Sequence, residues 1–95
     1  MNYRYQLPYH IKCSKGDMSF HDGIRWDSDI DGKWGDDEMK TYLTRLFIKS
    51  GDNATDMEIF RTDEGIEVEW TMNYGRLSPR RCRTKLEPKG SKVGF

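Results

Sequence analysis

The sequence predicts a small α+β domain: an antiparallel sheet of three to five strands, in β-β-α-β-β order, packed against one helix. Three observations predict it. Apolar residues alternate near both ends of the chain, one helical stripe lies between them, and 95 residues with 13% aromatics suffice for one modest core but not two.

The first alternating run places Tyr3, Tyr5, Leu7, Tyr9, Ile11 and Cys13 on one face of a strand. Pro8 lacks an N–H, which predicts a sheet edge or a bend there. Ser14-Lys15-Gly16-Asp17 is a turn cluster. Alternation resumes at Met18, Phe20, Ile24 and Trp26, predicting strand over 18–26, with a bulge or second turn at Asp22-Gly23. Met39, Tyr42, Leu43, Leu46 and Phe47 then follow helical spacing and predict a helix over 37–49. Asp36, Asp37 and Glu38 suit its positive end, and Gly51 suits its stop. Asp52 to Asp56 reads as a loop and Met57 to Thr62 as a strand. A three-residue hairpin loop, Asp63-Glu64-Gly65, leads into a long amphipathic strand with Ile66, Val68, Trp70, Met72 and Tyr74 inward. Thr55 and Glu58 have capping-box spacing, so a short helix competes with the strand at that point.

Charge divides the chain. Residues 1–75 carry nine basic and fifteen acidic side chains, and residues 76–95 carry seven basic and one acidic. The expected organisation is therefore a single acidic domain over 1–75 and a basic, loosely ordered tail over 76–95. No run approaches the length of a membrane helix, and the N-terminus shows no apolar signal segment. Cys13 and Cys82 do not make a disulfide framework, so the expectation is two unrelated free thiols and a cytoplasmic location, with an isolated Cys13–Cys82 bridge as the alternative.

Residues 27–38 are the most acidic stretch. Asp27, Asp29, Asp31, Gly32 and Glu38 occupy the first, third, fifth, sixth and twelfth places of a twelve-residue run. That pattern resembles the calcium loop of the EF-hand family. The resemblance implies calcium held by the carboxylates of Asp27, Asp29, Asp31 and Glu38 and the backbone carbonyl of Lys33, with Gly32 at the sharp turn. The same residues also read as an acidic turn running into a helix N-terminus, with no metal.

Other chemistry is sparse. His10, Cys13, His21 and Cys82 lack the paired spacings of a zinc site. No nucleophile elbow, phosphate-binding loop or metalloprotease helix is present, which predicts a protein that is not an enzyme. The expected function is stable association with a protein partner. The contact residues would be Asp27, Asp29, Asp31, Asp36, Asp37 and Glu38 on one side and Arg76, Arg80, Arg81, Arg83 and Lys85 on the other. In size and style this is similar to small phage proteins that inhibit a host enzyme. The alternatives are calcium binding at the loop and nucleic-acid binding through the tail, where arginine forks suit phosphate.

Overall fold

The computed structural model describes residues 4–75 and 77–89, so Arg76 and the last part of the expected tail, 90–95, lie outside it. Its elements in chain order are β1 (Arg4–Gln6), β2 (His10–Cys13), β3 (Met18–Ser19), α1 (Asp22–Asp27), β4 (Ile30–Asp31) and α2 (Asp36–Lys49). They are followed by β5 (Asn53–Thr62), β6 (Gly65–Tyr74), β7 (Leu77–Lys85) and β8 (Glu87–Pro88). The class is α+β, with two antiparallel sheets rather than one and two helices rather than one. A five-stranded sheet runs β3-β2-β7-β6-β5, and a small one runs β4-β1-β8.

The first run of alternation serves both sheets. Pro8 falls in the corner between β1 and β2, where its missing N–H breaks no ladder. Leu7 stays buried there, and its N–H donates to Ser28 Oγ at 2.9 Å. Tyr9 leaves the apolar face and is exposed.

The strand expected over 18–26 is only two residues long before the chain turns into α1. Phe20 and Ile24 are both buried and four apart, a spacing that fits alternation and helix equally well. Asp22-Gly23 between them is poor strand material, and it opens the helix.

α2 buries Met39, Leu43 and Phe47, one residue per turn. Tyr42 and Leu46 lie at the flank of that stripe. Its end is a Schellman motif: Gly51 N–H donates to the Ile48 carbonyl (3.0 Å) and Asp52 N–H to the Phe47 carbonyl (2.9 Å), with Gly51 at φ 92°. Phe47 meets Trp70 of β6 at 5.0 Å between ring centroids, and Phe20 stacks on both. This aromatic cluster is the centre of the core between α2 and the five-stranded sheet.

β5 begins at Asn53, inside the expected loop. A bulge between Thr55 and Glu58, with Asp56 at φ 52°, hides its pairing from a period-two reading. The β5–β6 turn is two residues, Asp63-Glu64, closed by Thr62 opposite Gly65 at φ 139°.

The largest correction concerns the basic segment. Leu77–Lys85 is not a loose tail but β7, paired with β6 on one side and β2 on the other. Among the described side chains of β7 the buried ones are Cys82 and Thr84, too little apolar character to show a period. Order comes instead from its outward face, where Arg81, Arg83 and Lys85 oppose Thr71, Glu69 and Glu67.

Candidate protein-binding surface

The acidic stretch runs from the end of α1, through β4 and a turn, into α2. Two arginines from distant strands organise it. Arg4 of β1 donates through Nε and Nη2 to the two carboxylate oxygens of Asp29, both at 2.9 Å, and its Nη1 lies 3.2 Å from Asp31. The hydrogen bond from Arg4 holds the Asp29 carboxyl below its usual range despite some burial. Asp31 also accepts the Lys33 N–H (2.8 Å) in an Asx-type turn. Arg61 of β5 donates to Asp36 (3.0 Å) and to the carbonyls of Gly32 (3.0 Å) and Trp34 (2.6 Å), clamping the turn against the sheet. Tyr42 of α2 closes the other side: its hydroxyl accepts the Asp29 N–H at 2.9 Å.

Asp29, Asp31 and Asp36 are thus engaged within the fold. Asp27, Asp37 and Glu38 are exposed and make no ion pair among the described residues. The segment before the loop is the six-residue α1 where strand was expected, so a short helix does precede it. Ile30–Asp31 is laid against β1 as a strand, and among the described residues no three carboxylate, His or Cys side chains gather as a metal donor set.

Of the expected basic residues, Arg81, Arg83 and Lys85 lie elsewhere, on the open face of the five-stranded sheet. Arg81 donates to Glu69 (2.8 Å), Glu58 (2.9 Å), Thr71 Oγ1 (2.9 Å) and the Asp56 carbonyl (2.8 Å). Arg83 donates to Glu67 (2.7 Å) and Glu69 (3.2 Å), with its guanidinium over the Phe60 ring. The Arg81 hydrogen bond holds the Glu69 carboxyl low, and the one to Glu67 raises Arg83. Arg80 turns to the Gly16 carbonyl (3.5 Å), and Lys85 lies 3.9 Å from Glu64. The acidic and basic sets therefore do not form one site.

What the acidic stretch does join is a set of aromatics that charge patterning passed over. Trp26, on α1, is 67% exposed. Trp34 meets Tyr42 at 5.1 Å between ring centroids, tilted by 55°. These two rings, with Glu38, Thr41 and Arg45, line a groove of about 400 Å³. A second groove of about 430 Å³ is lined by Asp27, Tyr42, Arg45, Leu46 and Lys49, so Tyr42 and Arg45 belong to both. Ile48, 58% exposed, continues the solvent side of α2 from Asp37, Thr41 and Arg45 at helical spacing. In the sequence Trp34 stands amid charged and turn residues, away from any apolar stripe, whereas Trp26 reads as the last member of the alternation that starts at Met18.

Comparison with protein-family models, with curated proteins and with solved structures finds no match to this chain.

Proposed function

We propose that this chain is a non-catalytic binding protein that forms a stable complex with a protein partner through the face made by α1, the acidic turn and α2. It acts by covering a surface of that partner, as a small inhibitor does. The observation that carries the reading is the exposed Trp26, next in the chain to Asp27, which lines one of the two grooves that share Tyr42 and Arg45. Trp, Tyr and Arg dominate binding energy at protein interfaces, and an exposed tryptophan contributes little to the fold that holds it. Around these anchors, Asp27, Asp37 and Glu38, which make no ion pair among the described residues, supply negative charge, which suits a partner with cations at its rim. Arg81 and Arg83 direct their donors to glutamates of the same sheet. Phosphate contact there would have to displace those pairs, so nucleic acid is the weaker reading.

The test is capture from a lysate with the parent and with two variants. Trp26→Ala should lose the captured protein, and Lys12→Ala, on the open sheet face, should keep it after nuclease treatment. Retention by Trp26→Ala, or loss on nuclease treatment, would count against the reading.

A further inference from the structure

Cys13 and Cys82 are 69 residues apart in sequence, yet β2 and β7 set them directly opposite one another. They are neighbours, not the two unrelated thiols that the sequence predicts. The Ser14 N–H donates to the Arg81 carbonyl at 3.1 Å, one step beyond the pair on each strand. That bond makes Cys13 and Cys82 a non-hydrogen-bonded pair, the kind whose facing side chains come closest, with Cα atoms about 4.5 Å apart. Disulfides span Cα separations of about 4.4–6.8 Å. The two sulfurs already lie 2.9 Å apart as free thiols. Cys13 is half-buried and Cys82 is buried. Burial and then the Cys13 thiol push the Cys82 thiol well above its ordinary pKa, so Cys13 is the sulfur that meets a reagent first.

We propose that Cys13 and Cys82 form a redox site, closing reversibly into an intramolecular disulfide when the protein meets a low-molecular-weight disulfide. The Cys13 thiolate attacks one sulfur of the reagent; the reagent's S–S bond breaks, a mixed disulfide forms and one reagent thiol leaves. Cys82 then loses its proton and attacks the Cys13 sulfur; the protein disulfide forms and the second reagent thiol leaves with a proton. Two electrons pass from the protein to the reagent. Two protein thiols and one reagent disulfide become one protein disulfide and two reagent thiols.

The bond would fall at a short junction of the sheet. β2 meets β7 through two register pairs, Lys12 with Arg83 and Cys13 with Cys82, whereas the β6–β7 ladder runs from Glu67–Lys85 to Tyr74–Leu77. Oxidation therefore fastens the β2–β3 hairpin to the middle of the sheet, and it constrains a long loop of the unfolded chain.

The experiment treats the reduced full chain with oxidised glutathione. Free thiols, intact mass and melting temperature are then measured. Both thiols should disappear from a monomer about 2 Da lighter, with melting raised by roughly 10–20 °C, and excess dithiothreitol should reverse all three. Cys82→Ala should stop at a mixed disulfide on Cys13. Should that buried substitution fail to fold, Cys13→Ser at the half-buried position carries the control, and no intramolecular bond should form. Two persistent thiols, an unresolved mixed disulfide in the parent, or a disulfide-linked dimer would overturn the proposal.

Discussion

Leu43 and Leu46 stand three residues apart on α2, and their sequence pattern treats them alike. The structure does not: Leu43 is wholly buried in the core, while Leu46 lies at its flank and lines a surface groove. Leu43→Ala removes three carbons from an enclosed site. At about 0.8 kcal/mol per buried CH2 the transfer loss is about 2.4 kcal/mol. The cavity left against the sheet brings the total to about 3–5 kcal/mol. Leu46→Ala opens its space to solvent and leaves no closed cavity, so about 1–2 kcal/mol is expected, half the transfer loss or a little more. Urea unfolding separates the two, because a slope of about 1–3 kcal/mol per molar turns the difference into a clearly resolved midpoint shift. Equal midpoints, or a larger loss for Leu46→Ala, would refute the placement of α2 on the sheet.

Three further outcomes follow from the charged groups. Arg81→Ala should cost about 1–2 kcal/mol at neutral pH, because it removes several partly screened hydrogen bonds to Glu58, Glu69 and Thr71. Glu69 is held low by Arg81, so its contribution is present above the ordinary carboxylate range and lost as pH falls through the lowered value; thermal melts should show the variant's deficit shrinking below about pH 4. Asp52 has the opposite sign: burial raises its carboxyl against the pull of His21, so stability falls as pH rises through the ordinary range to the raised value. Asp52→Asn should therefore melt higher than the parent at pH 7 and show no such gain in acid. Calcium at millimolar concentration should leave the Gly32 amide resonance and the melting temperature unchanged, since Asp29 and Asp31 are held by Arg4; a strong shift of both would establish the EF-hand-like loop as a metal site.

How much of this was legible in the sequence depends on how local the cause is. α2 and the β5–β6 hairpin were legible because their signals, a helical stripe and alternation around a Gly-containing turn, lie within the elements themselves. β7 was not, because its order rests on pairs such as Arg83 with Glu67 and Arg81 with Glu69, made across a turn by residues that look merely cationic in isolation. α1 was misread because Phe20 and Ile24 satisfy two periods at once. In the candidate site, the acidic stretch was evident as a charge run. Its division into engaged and exposed carboxylates was not, since that is decided by Arg4 and Arg61, each far away in the chain. The exposure of Trp26 had no signature, because Trp26 continues the alternation of Met18, Phe20 and Ile24 and so reads as core, whereas α1 breaks that alternation and leaves it exposed.

The central claim is that the α1–turn–α2 face binds a protein through an aromatic anchor and an acidic surround. Surface plasmon resonance with the captured partner immobilised tests it most directly. Trp26→Ala should weaken binding at least about tenfold, mainly through faster dissociation. Asp37→Lys with Glu38→Lys should slow association, and raising salt should erase the difference from the parent, because exposed charges act over about 8–10 Å at moderate ionic strength. Lys12→Ala should match the parent throughout. Unchanged kinetics for both face variants, or loss of binding on Lys12→Ala alone, would contradict the account and move the interface to the open face of the sheet.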